Sequence, residues 1–140
     1  MNSLLPVVAA LALLSPSADA VSEADCESLL AANHEPVFER LQGQLAAMTE
    51  VLEATLVTLQ AHDEMRVTSE LALACYHDDR NANKRKGLWR IHWSYFHVTQ
   101  SLHNFAFRIQ ETGRLENEKR SLLINVAYAL GSLRSELNPQ

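Results

Sequence analysis

Between Val37 and Cys75, apolar side chains return every three or four residues. Leu41, Leu45, Met48, Leu52, Leu56 and Leu59 follow one another at this spacing, Asp63 interrupts the row, and Val67 and Leu71 resume it. A period near 3.6 residues puts such positions on one stripe of an α-helix. No Gly or Pro stands near Asp63. The pattern alone therefore permits one helix over 37–77, about 60 Å long at 1.5 Å per residue.

A second region is patterned on two sides. Leu88, Ile91, Tyr95, Val98, Leu102, Phe105 and Ile109 alternate steps of three and four, a sustained seam on a helix predicted over Leu88 to Thr112. The residues left over form another stripe: Trp89, Trp93, Phe96, Gln100, His103 and Phe107. At 100° per residue the two stripes lie about 150° apart. Apolar character on nearly opposite sides means cover on both. Either this is a central helix packed between neighbours, or one stripe meets a partner or ligand. Six of the nine aromatics lie between Trp89 and Phe107, and aromatic side chains are enriched at interface centres. The stripe Trp89, Trp93, Phe96, His103 and Phe107 is therefore the candidate contact surface.

Local signals set the remaining elements. Ser22, with Asp25 three residues on, is a candidate N-cap for a short helix near Glu23 to Asn33. Pro36 ends that helix and can open the next. The polar stretch "HDDRNANKRKG" reads as a loop. Gly113 occupies a C′ position, and a last helix runs from about Leu115 to Leu137 with Leu123, Val126, Leu130, Leu133 and Leu137 on its stripe. Gly and Pro are scarce in the 140 residues, four of each, which favours helix throughout. The expected fold is all-α: a small bundle of three to four helices with a short N-terminal helix.

The first twenty residues differ in kind. The run "LLPVVAALALL" followed by "SPSADA" reads as a signal peptide with cleavage before Val21, Ala18 and Ala20 having the required spacing. The apolar run is too short to span a bilayer. Residues 21–140 then form one domain, secreted or periplasmic. In such a compartment Cys26 and Cys75 are expected to form a disulfide. If the chain folds back at Pro36, a continuous helix over 37–77 would carry Cys75 far from Cys26, whereas bridged Cα atoms lie within about 7 Å. The expectation is a break in the long stripe near His62 to Glu64.

Charge divides the chain. Residues 21–79 hold twelve acids and two bases, a net of −10, and residues 80–140 hold four acids and ten bases, a net of +6. Halves of opposite sign attract when packed, and they also make a dipolar molecule suited to charged partners. An acidic total argues against nucleic acid. The cations Arg80, Lys84, Arg85, Lys86 and Arg90 cluster at one end of the aromatic stripe. They are either a solvated loop or a steering patch for an acidic partner or an anionic headgroup. A membrane-surface role is not favoured, because the polar faces carry few further cations.

Motif chemistry is absent. The chain has no Gly-rich phosphate loop, no His-Glu-x-x-His, no Gly-x-Ser-x-Gly and no Cys-x-x-Cys-His. His92, His97 and His103 are five and six residues apart, poor spacing for a shared metal, and His77 to Asp79 offers a weak surface site at best. The expectation is a non-enzymatic interaction protein of the inhibitor, immunity or adaptor type. No cofactor or metal is expected. It would bind a protein partner or a second copy through Trp89, Trp93, Phe96, His103 and Phe107, steered by Lys84, Arg85 and Lys86. The alternative is a carrier holding an apolar small molecule, lipid or haem between helices.

Overall fold

The computed structural model describes residues 21–137; the expected signal peptide lies outside the described residues. Ser22 caps α1 (Glu23–Ala31) as its hydroxyl accepts from the Asp25 N–H at 3.0 Å. Pro36 sits in the first turn of α2 (Glu35–Ala47), where its missing N–H leaves no helical bond unmade. α3 spans Val51–His77, and α4 spans Arg85–Thr112. Gly113 ends α4 in the left-handed region, φ 67°, and its N–H returns to the Ile109 carbonyl at 2.9 Å. α5 runs over Leu115–Leu137. Among the described residues the chain is all-helical, as expected.

The stretch expected to be a loop is more ordered than its composition suggests. Residues Asp79–Lys84 form a 3₁₀ turn, and the helix begins at Arg85 rather than Leu88. The reason is local capping. Asp78 accepts from the Arg80 N–H at 3.0 Å, and the buried Asn81 amide donates to the Cys75 carbonyl at 3.0 Å. The Asp78 bond starts the 3₁₀ turn, while Asn81, with Arg85 donating to the Tyr76 carbonyl at 3.0 Å, supplies donors to the last carbonyls of α3.

α2, α3, α4 and α5 alternate in direction and close on themselves. Arg134 near the end of α5 donates to Glu35 at 3.0 Å, and Lys119 near its start donates to the Met48 carbonyl at 2.9 Å. α5 therefore returns antiparallel to α2. α3 packs most extensively on α4, and α4 next on α5. The core contains Phe38, Leu41, Leu45, Met48, Met65, the whole seam from Leu88 to Ile109, and Leu122, Val126, Ala129, Leu130 and Leu133.

Two expectations fail in α3. The long stripe breaks at Met48–Glu50, not at His62–Glu64. The buried face of α3 is Ala54, Thr58, Ala61, Met65, Ser69, Ala72 and Cys75. Leu52, Leu56 and Leu59, on the stripe that the pattern predicts, are 66%, 60% and 59% exposed. The break resets the helical phase, so the row through Leu41, Leu45 and Met48 no longer continues into Leu52. The new phase turns small side chains inward.

The disulfide forms as expected, Cys26 to Cys75 with Cα atoms 5.8 Å apart. Its route differs from the one inferred. The chain does not fold back at Pro36. α1 and α2 together travel the length of the bundle before the corner at Met48–Glu50. At 1.5 Å per residue, Cys26 and Cys75 then lie roughly 30 and 36 Å from that corner, so an unbroken α3 brings them level.

A buried polar pair ties the α1–α2 corner to α4. His34 Nε2 lies 2.8 Å from the Leu29 carbonyl, so it carries the proton. Nδ1 then accepts from the Tyr95 hydroxyl at 2.8 Å. Burial lowers the His34 pKa from 6.5, against a smaller raising effect of the Leu29 carbonyl. Burial also pushes the Tyr95 hydroxyl well above its ordinary 10.0.

Two outcomes follow from this architecture. Cys26→Ser with Cys75→Ser reopens a 49-residue separation and lowers unfolding free energy by about 3–4 kcal/mol on the chain-entropy model, read by urea denaturation. His34 is held neutral in the fold, so the unfolded chain binds more protons below pH 6.5. Stability is therefore full above that pH and declines as pH falls through and below it. His34→Gln should flatten this dependence, and a slope unchanged by the substitution refutes the assignment.

Candidate functional site

The second stripe of α4 does not lie under a neighbouring helix. Trp89, Phe96 and Phe107 are 43%, 45% and 60% exposed, and His103 is exposed, while every seam residue from Leu88 to Ile109 is buried. Trp93 is half-buried. α4 is the middle helix of three, and its outer face divides into two edges.

The edge toward α3 carries a ladder of rings. Tyr76, Trp89, His92 and Phe96 follow at centroid separations of 5.4, 5.3 and 5.6 Å, the last pair stacked. His92 holds the ladder in place. Its Nδ1 lies 2.9 Å from the Ser69 carbonyl and 3.0 Å from the Ser69 hydroxyl. The carbonyl accepts only, which assigns the proton to Nδ1. Ser69 is small enough to let the imidazole reach the α3 backbone.

The edge toward α5 carries a second group. The Trp93 and His97 rings stack at 4.9 Å with an interplanar angle of 7°, and Tyr128 meets both edge-on at 5.7 and 5.8 Å. The Arg90 guanidinium lies 5.9 Å above Trp93 and donates to the Ser132 hydroxyl at 2.8 Å. Burial lowers the His97 pKa from 6.5. His97 Nε2 and the neighbouring Ser94 hydroxyl are buried without a hydrogen-bond partner. Tyr128 and Ile124, both exposed, extend the apolar surface onto α5. Sequence reasoning missed His92, His97 and Tyr128 as members of these groups. An i, i+4 reading of Trp93 with His97 could have found one pair; the Tyr128 contact is tertiary and has no local signal.

The basic stretch is largely engaged in the fold. Arg85 donates to the Tyr76 carbonyl at 3.0 Å, reaches Asp79 at 3.5 Å and lies over the Tyr76 ring at 5.7 Å. Arg80 pairs with Asp78 and donates to the Val21 carbonyl at 2.9 Å. Hydrogen bonds to Arg80 hold the Asp78 carboxyl below its ordinary range. Lys84 is half-buried and Lys86 exposed. These cations stand at one end of the ring ladder, with Arg85 built into it.

Among the described residues no three His, Cys, Asp or Glu side chains gather at metal-binding distance. Nor is any helix there long and apolar enough to cross a membrane. Comparison with known proteins finds no matching family model, no similar curated protein and no similar solved structure.

The Trp93–His97 stack gives a direct readout. A protonated imidazole quenches an indole in contact with it. In a Trp89→Phe background the emission of Trp93 should stay constant above pH 6.5 and fall only at lower pH, since burial lowers the His97 pKa. His97→Gln should remove the transition. A midpoint at or above 6.5 in the folded protein contradicts the geometry.

Proposed function

We propose that this protein is an exported helical interaction module that binds another protein through the outer face of α4, as inhibitors, immunity proteins and adaptors do. The observation that carries the reading is the exposure of Trp89, Phe96 and Phe107 on a helix whose opposite side is fully buried. Large rings held at the surface by neighbours lose little entropy on binding and bury much area. The α3 leucines at 52, 56 and 59 add apolar surface on the neighbouring helix, and contiguous exposed apolar surface marks interaction sites. His103 and Trp93 lie on the same outer face. Lys84, Arg85 and Lys86 are placed to orient an acidic partner, with Arg85 shared between that task and its contacts to Tyr76 and Asp79. The disulfide fits an oxidising compartment, secreted or periplasmic. A second copy of the chain is the alternative occupant, since a two-fold pairing needs one self-complementary patch. No observation favours an apolar carrier: two clefts of about 580 and 500 Å³ are open to solvent, the first lined almost wholly by polar side chains and the second by polar and apolar ones in equal number.

The test is Trp89→Ala with Phe107→Ala. Both positions are exposed, so unfolding free energy should change by about 1 kcal/mol or less. Binding to a protein captured from the native compartment, or self-association in sedimentation equilibrium, should be lost. A variant that associates as the parent does places the interface elsewhere.

A further inference from the structure

Three arginines from three segments line one cleft, and none forms an ion pair among the described residues. Between the second half of α4 and the first half of α5 there is an open cleft of about 580 Å³. Arg108 comes from α4, Arg114 from the turn and Arg120 from α5. No ion pair or side-chain hydrogen bond engages any of the three guanidinium groups among the described residues. Between them stand the amides of Asn104, Asn117 and Asn125, one α4 and two α5 side chains. The only carboxylate in the lining is Glu118, against three cations, so the local charge is +2 in a chain whose total is −5.

We infer that this cleft is a binding site for a phosphate-bearing ligand of the pyrophosphate or phosphate-ester class. Guanidinium groups offer paired N–H donors matched to two oxygens of one phosphoryl group, and three arginines from different directions suit a ligand with several such oxygens. Asparagine amides add neutral donors without adding charge. The first N–H groups of α5 lie at the same end and contribute a positive partial charge; they assist the arginines and do not define the site. The cleft is of small-ligand size, and the buried Phe105 is the one large apolar side chain in its lining, so a polar, multiply charged occupant fits it better than an apolar one. The site adjoins the aromatic stripe at Phe107, which lines a neighbouring cleft with Asn104 and Arg108, but Trp89 and Phe96 are not in its lining.

The experiment is an amide NMR titration of the full chain with inorganic pyrophosphate at low salt. It is paired with co-sedimentation on phosphatidylcholine vesicles with and without phosphatidic acid. Saturable shifts confined to Asn104, Asn117, Asn125 and their neighbours are expected. Arg108→Gln with Arg120→Gln should weaken the affinity by about ten-fold or more. Arg40→Gln on α2, whose side chain pairs with Glu64, should leave it unchanged. Saturable pyrophosphate binding supports a free phosphorylated ligand. Arginine-dependent vesicle binding without it supports a lipid headgroup. Non-saturating shifts spread over the surface, or binding indifferent to the two arginines, overturn the assignment. The substituted arginines are exposed and unpaired, so the variant is expected to fold, and its amide spectrum reports whether it does.

Discussion

The small side chains on the inner face of α3 are the constraint from which the rest follows. Ala54, Thr58, Ala61, Ser69 and Ala72 let a second helix approach closely, and α4 supplies the bulk they lack through Leu88, Ile91, Tyr95, Val98, Leu102, Phe105 and Ile109. A close-packed interior requires such complementarity of large against small. Once α4 settles against this face, its remaining aromatics face away from the core. The same choice turns Leu52, Leu56 and Leu59 of α3 away from the core, with Met65 the one large side chain it keeps fully inside. The exposed surface therefore follows from how the buried one was filled.

Much of this was legible in the residues. The seam of α4, the cap at Ser22, the glycine at 113 and the span of α5 rest on short-range chemistry, the pairing of two cysteines rests on their number and compartment, and all stand in the fold. The break between α2 and α3 does not. Met48–Glu50 contains neither Gly nor Pro, and its corner is held from a distance. The Lys119 ammonium, 71 residues on, donates to the Met48 carbonyl at 2.9 Å and pairs with Glu116 at 3.1 Å. An unsatisfied helix end closed by a tertiary donor leaves no mark in the local pattern. The consequence propagates: the stripe through Leu41, Leu45 and Met48 predicts Leu52, Leu56 and Leu59 on the same face, in a phase the chain abandons at this corner.

The candidate surface was legible in outline and not in its division. Periodicity separates two stripes on α4 but cannot say which neighbour each edge meets. In the fold, His92 reaches Ser69 on one side while Trp93 and His97 meet Tyr128 on the other. These contacts restrain rings that would otherwise be mobile on an exposed helix. Restraint matters energetically, because a side chain already held in one rotamer has less entropy to lose on association. The histidines that looked like poor metal ligands thus act as spacers: one is anchored to a backbone carbonyl, and the other is stacked flat on an indole.

The division of charge takes on meaning in three dimensions. An acidic first half and a basic second half attract, and in the fold they do so through particular pairs. Arg134 meets Glu35 and Glu39 across the α2–α5 contact at 3.0 and 3.3 Å. Arg85 and Arg80 serve the corner before α4, and Lys119 serves the corner before α3. Arg108, Arg114 and Arg120 line one cleft beside the α4–α5 turn, and among the described residues they form no ion pair. Exposed ion pairs contribute little to stability, so the fold does not depend on pairing these three cations. Mutual repulsion would disperse them, whereas a multiply charged anion between them would turn that repulsion into attraction.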